Sequence, residues 1–341
     1  MLKKTTLLVA GLSAAALFAP AMAQDTAAPA AEGATEKVEL RMKLQKGQKF
    51  AFRQTMDMTQ DMDMQGMQLS TVMKMTSDYV YDVLDVTEAG TADVRISFGR
   101  VHGSMENPMF GAIEFDSEKE AEETGNPMID AMAGAFTVTS GLSVEITMDA
   151  KGEISSVRGV EKLVEKMLEA NPMAAMGGMD AESMGDQMKE NLRSLTGDYP
   201  ADAIGVGSTW EISRNMSQMG MEISMSSKNK VTSLDADAVV VDADITGDMG
   251  GGQMAQMFTV DDFSGTSTTT ISRADGLVKQ STAKMKMKAS INGGAQGQGG
   301  MVMDITAKVE RIAVPAAAPV TPSGGDADKD DAGEDGMGDD E

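Results

Sequence analysis

The amino-acid sequence predicts a mainly β protein of the α+β class. We expect a large curved antiparallel sheet or half-barrel made of two related halves, with a two-helix insert between them. Three observations support this prediction. Apolar and polar residues alternate over residues 37–158 and 200–313, the period becomes helical between those regions, and similar short segments recur in both. Residues 37–313 are therefore predicted to form a single β-rich domain.

The N-terminus has the pattern of a secretory signal. Lys3 and Lys4 precede a short apolar run, and Ala21-Met22-Ala23 is a small-residue cleavage site. The run is too short for a permanent membrane span, and no later stretch is apolar enough for a transmembrane helix. We expect removal of residues 1–23, followed by an Ala/Pro-rich linker over 24–36. The mature protein would be periplasmic or extracellular and would not be an integral membrane protein.

The charge balance excludes some classes of partner. The chain has 53 acidic and 29 basic residues, and residues 314–341 alone hold nine acids and one lysine. That segment lacks apolar periodicity, so we expect it to be a disordered acidic tail. An excess of negative charge argues against nucleic acid and anionic lipid surfaces as partners. The chain has no Cys, so stability must come from one packed core.

Alternating segments separated by turn residues predict the strands. Turn signals include Lys151-Gly152 and Asp275-Gly276. The alternating segments are VELRMKL (38–44), ADVRISFGRV (92–101), LSVEITMDA (142–150), AVVVDADI (238–245), TSTTTISR (266–273), KMKMKASI (284–291) and MVMDITAKVERI (301–312). Such alternation is typical of antiparallel strands that are buried on one face.

The first hairpin can be predicted residue by residue. Residues 49–82 fold about a two-residue turn at Gln65-Gly66. One face then pairs Met64 with Met67, Met62 with Leu69, Met58 with Met73, Met56 with Met75, Phe52 with Tyr79 and Phe50 with Tyr81, whereas the other pairs Asp57 with Lys74, Arg53 with Asp78 and Lys49 with Asp82. A slip by one residue would move every apolar side chain to the wrong face, so this register is strongly specified.

The insert, residues 159–196, has helical periodicity. Its apolar residues are Val160, Leu163, Val164, Met167 and Leu168 in the first predicted helix and Met184, Met188, Leu192 and Leu195 in the second. The connection contains Gly177-Gly178, which would let the helices move as a flap. Either the helices cover an apolar concavity, or they cap a packed core with no cavity.

Methionine is the commonest large apolar residue of this chain, with 33 Met against 16 Leu. A flexible, polarisable methionine face could be ordinary core, could mould around an apolar ligand, or could bind Cu(I) through its thioethers. We predict an exported noncatalytic protein that binds an apolar or lipid-like ligand in the cell envelope. The alternatives are a methionine-rich copper or oxidant buffer and a purely structural envelope protein. The candidate lining is Met56, Met58, Met62, Met64, Met73, Met75, Met188 and Leu192.

No catalytic constellation is recognisable in the sequence. His102 is the single histidine, and no nucleophile-elbow sequence accompanies it. We expect it to be a structural histidine at a strand end that enters a loop. No catalytic residue, cofactor or resident metal is predicted, so the protein is not expected to be an enzyme.

Several local segments resemble a secreted bacterial family defined only as a domain of unknown function. They include Gly47-Gln48-Lys49-Phe50 and Gly207-Ser208-Thr209-Trp210, a G-x-K-F and G-x-T-W pseudo-repeat. The resemblance covers most of residues 37–313 and carries over no functional residues. The overall architecture is also similar to lipoprotein-carrier-like half-barrels, which implies a fold able to hold lipid.

Overall fold

A computed structural model describes most of the chain between residues 36 and 315. The described residues are 36–64, 67–109, 111–119, 130, 133–134, 136–170, 181–195, 199–218, 221–250, 258–292 and 298–315. The predicted signal segment, the linker up to residue 35, the acidic tail from residue 316, the Gln65-Gly66 turn and the Gly177-Gly178 connection lie outside them.

Twelve antiparallel strands and two helices are present among the described residues, which confirms the predicted fold class. The strands are β1 Lys49–Met64, β2 Met67–Val86, β3 Ala92–Asn107, β4 Gly111–Asp116, β5 Ser143–Met148, β6 Ile154–Arg158, β7 Thr209–Gln218, β8 Met221–Leu234, β9 Ala238–Gly250, β10 Phe258–Ser272, β11 Val278–Asn292 and β12 Gln298–Ile312. The helices are α1 Val160–Ala170 and α2 Ala181–Leu195.

The strands form one open, curved sheet in the order β6-β5-β3-β2-β1-β12-β11-β10-β9-β8-β7, with β4 paired to β3. Each half of the chain therefore supplies one contiguous part of the sheet, and the parts join where β1 pairs with β12. We call the sheet face that carries Met56 and Met58 the inner face. Because side chains alternate along each strand, the register identifies the inner-face residues of all neighbouring strands.

The predicted register of the first hairpin is confirmed along its full length, from Lys49 opposite Asp82 to Met64 opposite Met67. On the outer face, the guanidinium group of Arg53 donates two hydrogen bonds of 2.8 Å to the carboxylate of Asp78. Such pairs contribute only about 0.2 to 1 kcal/mol each, so their main effect is to specify the register.

The helical insert lies where the two ends of the sheet approach each other. Helix α1 follows Gly159, whose φ of +80° few other residues tolerate. It buries Val160, Leu163 and Val164. Helix α2 packs on α1 and contacts both β6 and β7, the terminal strands of the sheet order. The insert therefore bridges strands that do not pair with each other.

Matching turns support the relationship between the two halves. The N–H group of Gly47 donates to the carbonyl of Val83, and that of Gly207 donates to the carbonyl of Val231, both at 2.8 Å. Each valine donates back to the residue after its glycine at 2.9 Å. Both glycines have positive φ, +78° and +87°. The G-x-K-F and G-x-T-W segments thus form the same turn at the start of β1 and of β7.

The prediction of a strand at residues 38–44 is wrong, because this segment lies outside the main sheet. Residues 36–44 form an extended segment, which we call the N-terminal strap. The N–H of Met42 donates to the carbonyl of Ala150 at 2.7 Å, and that of Lys43 donates to Asp275 at 2.9 Å. The strap therefore joins the turns that follow β5 and β10. Within the strap, Val38 forms an isolated antiparallel bridge with Ile204, and Leu40 is buried, so the alternation here reflects one-sided burial outside the main sheet.

The placement of His102 at a strand end is also wrong. His102 lies inside β3, opposite Thr76 of β2 and Asp116 of β4. The strand continues because Gly103 permits close strand contact: a Cβ atom there would lie 2.0 Å from the carbonyl oxygen of Lys74. None of the helices in the described part of the chain has the length and hydrophobicity required to cross a bilayer.

Candidate functional site

One apolar cluster of the inner face contains ten methionines from six strands. We call it the methionine cluster. Its buried methionines are Met56, Met58, Met73, Met105, Met285, Met287 and Met303, and its partly buried ones are Met75, Met225 and Met301. Cross-strand pairing explains the convergence: Met58 lies opposite Met73, which in turn lies opposite Met105. The sequence predicted the first of these contacts and missed Met105.

Inner-face glycines make room for the larger side chains of this cluster. A Cβ atom at Gly265 would lie 2.8 Å from the Met285 side chain, and one at Gly103 would lie 2.8 Å from the Phe115 ring. Phe115 stacks on Phe136, with ring centroids 4.6 Å apart. The cluster is thus closely packed where it is described, and its shape is set by alternating small and large residues.

The structure places the predicted lining residues in two separate regions. Met56, Met58, Met73 and Met75 lie together in the methionine cluster. Met62 is half-buried opposite Met301, and the side chain of Met64 lies outside the described residues. Met188 and Leu192 of α2 pack instead on a second cluster, which contains Phe50, Phe52, Tyr79 and Tyr81. We call this second group the aromatic cluster.

The helical insert therefore covers the aromatic cluster, and the methionine cluster lies further along the strands towards the hairpin tips. Two methionines near those tips are strongly exposed, Met67 at 63% and Met109 at 57%. Met67 begins β2, and Met109 lies in the turn between β3 and β4. Both are therefore at the same end of the neighbouring strands β2 and β3. Apolar side chains thus continue from the buried cluster to solvent.

Polar side chains are also buried within the sheet. The amide of Asn107 donates to Thr71 at 2.6 Å, the amide of Asn229 donates to Ser227 at 3.0 Å, and the hydroxyls of Thr269 and Ser281 share a hydrogen bond of 2.8 Å. Gln54 differs, because its Nε2 atom is buried without a hydrogen-bond partner among the described residues. Gln54 was not predicted as a site residue from the sequence. The available signal was a glutamine on the otherwise apolar inner face of the first part of β1.

Burial and ion pairing shift the pKa values of three ionisable groups near the site. Burial raises the pKa of Tyr79 to about 12, and burial raises the pKa of Tyr81 as well, so both phenols are uncharged near neutral pH. On the outer face, a bidentate hydrogen bond from Arg100 holds the pKa of Asp116 well below its usual range. Within the described residues, no group of three or more His, Cys, Asp or Glu side chains is arranged to hold a metal ion.

A small cleft lies at the opposite end of the sheet from the exposed methionines. Its lining includes Leu40, Arg41 and Lys43 of the N-terminal strap together with Ser272 and Gly276. Arg41 already donates to the carbonyls of Pro200 and Ala201, so its guanidinium group braces the chain. This end of the molecule is held by polar contacts, in contrast to the methionine end.

The fold and the cluster define a class of protein, an open antiparallel sheet with a methionine-lined inner face. The chain belongs to the family of unknown function DUF6263, whose model matches residues 89–309. The predicted resemblance to a family defined only as a domain of unknown function is thereby confirmed. No curated protein matches the chain significantly.

Several solved structures are distantly similar. A lipovitellin structure, described by its lipid–protein interactions, is 8% identical with a TM-score of 0.36; the match covers 80% of this chain and 26% of that chain. The COG4313 outer membrane channel from Pseudomonas putida F1 is 8% identical with a TM-score of 0.24, covering 80% and 97%. A DUF1329 family protein from Desulfovibrio piger is 8% identical with a TM-score of 0.13, covering 74% and 83%.

This chain therefore spans about a quarter of the length of the lipovitellin chain that it matches. The TM-scores are too low for any of these three structures to indicate a function.

Proposed function

We propose that the protein is exported and acts without catalysis, by binding an apolar or lipid-like ligand of the cell envelope along the methionine cluster. The observation that carries the proposal is the convergence of ten methionines from six strands on one inner face. Methionine side chains are unbranched and polarisable, so they repack around irregular apolar shapes at low cost. Leucine or isoleucine would fill a fixed core equally well, and their well-defined rotamers would favour a single packing arrangement more strongly.

The position of the cluster within the sheet also supports binding. Met67 and Met109 expose apolar surface at the hairpin tips, so an apolar molecule would meet thioethers before it reached the buried methionines. The aromatic cluster and the helices lie further from the tips, beyond Met56 along β1. Entry at the tips would require movement of methionine side chains and would leave the helical insert in place.

Dye binding to the full-length mature protein tests the proposal. N-phenyl-1-naphthylamine, an uncharged dye that fluoresces in apolar surroundings, should bind the native protein stoichiometrically. A variant with Leu at positions 56, 58, 73 and 75 should keep the fold, because Met-to-Leu exchanges nearly conserve volume. It should bind the dye several-fold more weakly, because branched side chains repack less freely. The matched control is Met148→Leu, which exchanges a buried methionine outside the methionine cluster and should leave the dye affinity unchanged.

Two outcomes would contradict the proposal. The first is the absence of dye binding by the native protein, with fluorescence appearing only at urea concentrations that begin to unfold it. The second is equal dye affinity of the wild type and the four-position variant. Native mass spectrometry of protein purified from its producing cells adds an independent measurement, because a retained lipid would appear as a discrete mass increase.

A further inference from the structure

We infer that the side-chain amide of Gln54 is the polar contact for the ligand, and that the ligand is an uncharged apolar compound with a hydrogen-bond acceptor, such as an acyl ester. This inference rests on the proposed function. Its structural basis is a buried amide nitrogen that has no hydrogen-bond partner in the described part of the chain, located on the inner face directly beside the methionine cluster.

The register places Gln54 at the junction between two apolar clusters. It lies two residues from Met56 of the methionine cluster and two residues from Phe52 of the aromatic cluster, on the same face of β1. It stands opposite Ser77 of β2 and Val309 of β12. Only 4% of Gln54 is exposed, so bulk water does not solvate its amide.

The neighbouring buried polar groups are already paired within the protein. The hydroxyl of Ser77 interacts with Tyr79, and the hydroxyls of Ser281 and Thr269 bind each other at 2.8 Å. An unpaired buried amide is unfavourable, whereas one that meets an acceptor is not. The Nε2 group of Gln54 is therefore available to donate to a carbonyl oxygen that a ligand brings to this point.

The charges nearby favour a neutral acceptor over a carboxylate. A buried carboxylate needs a counter-charge, because removing it from water is costly. Arg311, opposite Phe52 in the β1–β12 register, is the inner-face cation nearest to Gln54 in that register. Its guanidinium group is already bound to Asp275. An ester carbonyl requires no counter-ion, so it matches a lone amide donor better than a fatty-acid anion does.

The length of β1 is sufficient for a long apolar chain. From Gln54, β1 continues for ten residues to Met64, about 33 Å at 3.3 Å per residue. Met56, Met58 and Met62 lie along this path on the inner face. A ligand whose carbonyl contacts Gln54 could therefore extend its chain along the methionines towards the hairpin tips.

Competition experiments with bound N-phenyl-1-naphthylamine can test the contact. The competitors are methyl laurate, which has an ester; dodecane, which has no acceptor; and laurate, which is ionised. The wild type should bind methyl laurate about 2- to 12-fold more tightly than dodecane after correction for their transfer from water, as expected for one neutral hydrogen bond. Laurate should bind more weakly than methyl laurate.

The variant Gln54→Met removes the donor at nearly constant volume and should abolish the preference for the ester. Gln60→Met is the matched control, because the amide of Gln60 already donates to the sulfur of Met301 at 2.9 Å. That variant should retain the preference.

A second measurement remains decisive even if Gln54→Met fails to fold. The carbonyl ¹³C resonance of labelled methyl laurate bound to the wild type should shift in the direction of hydrogen bonding, relative to its value in alkane. An alkane-like resonance would overturn the role of Gln54, as would an unchanged ester preference in a folded Gln54→Met protein. If the role of Gln54 is overturned but the wild type still binds the dye and dodecane, the proposed function survives. If the wild type binds neither compound, the proposed function and the role of Gln54 both fail.

Discussion

Truncation of Met73 to alanine tests whether the methionine cluster is packed as a core. Met73 is 1% exposed, and its register partners Met58 and Met105 are 3% and 1% exposed. Met73→Ala removes three heavy side-chain atoms and leaves a cavity, and such changes cost about 2 to 5 kcal/mol. Flexible methionine neighbours can partly fill the space. We therefore expect a loss in the lower part of this range, about 2 to 3 kcal/mol.

Equilibrium urea unfolding would measure the loss, and Met67→Ala is the matched control. Met67 lies on the same strand and the same face but is 63% exposed, so its truncation should change the free energy of unfolding by less than about 0.5 kcal/mol. The reasoning would be refuted if the two variants behaved alike, because the inner face would then be loosely packed at Met73. A changed slope with urea would indicate a loss of two-state unfolding instead.

Three further predictions concern other parts of the molecule. Gly276→Ala should lower the free energy of unfolding in urea far more than Gly111→Ala. Both glycines have positive φ, but only at Gly276 would a Cβ atom meet backbone, 1.9 Å from the Arg41 carbonyl oxygen. Equal losses of stability in the two variants would contradict the packing of the strap. Asp116→Asn should lower stability near neutral pH, and the difference from the wild type should shrink as the pH falls below about 4. The reason is that Arg100 depresses the pKa of native Asp116, so protonation of the carboxylate removes the stabilisation that this ion pair provides. A pH-independent difference in urea midpoints would contradict this prediction. Titration with Cu(I) under reducing conditions should show no tight stoichiometric site, and a site lost on Met-to-Leu exchange at positions 56, 58, 73 and 75 would favour the copper alternative.

The first hairpin was predictable because two independent patterns require the same register. The apolar ladder and the opposite-charge pairs both place Arg53 against Asp78 and Met58 against Met73. The helical insert was predictable from its period, since Val160, Leu163 and Val164 repeat at helical spacing and are all buried. In both cases, contacts between residues close in sequence determine the structure.

Features that depend on distant segments were not predictable from the same patterns. The N-terminal strap alternates like a strand, but its partners are the turns at Ala150 and Asp275, far away in the sequence. The position of α2 against β6 and β7 depends on how the sheet curves, which periodicity does not encode. Gln54 was missed for a related reason: whether a buried amide is satisfied depends on side chains from neighbouring strands.

The two ends of the sheet differ in the kind of interaction that holds them. At the strap end, Tyr199 donates its hydroxyl proton to the carbonyl of Gly276, and Arg41 binds two carbonyls. The aromatic cluster adds Phe50 stacked on Tyr81, with centroids 4.9 Å apart. These contacts are directional, so they fix one arrangement of the chain.

The methionine end depends mainly on dispersion and hydrophobic burial, which are non-directional and tolerate rearrangement of flexible side chains. A protein that must admit ligands of variable shape needs such a region, but it also needs a rigid frame to keep the strands in register. The division of the sheet supplies both, because the braced turns join the two halves at one end while the thioethers line the other. Gln54 lies at the boundary between these regions, where a fixed strand can hold one polar donor at the base of an adaptable apolar surface.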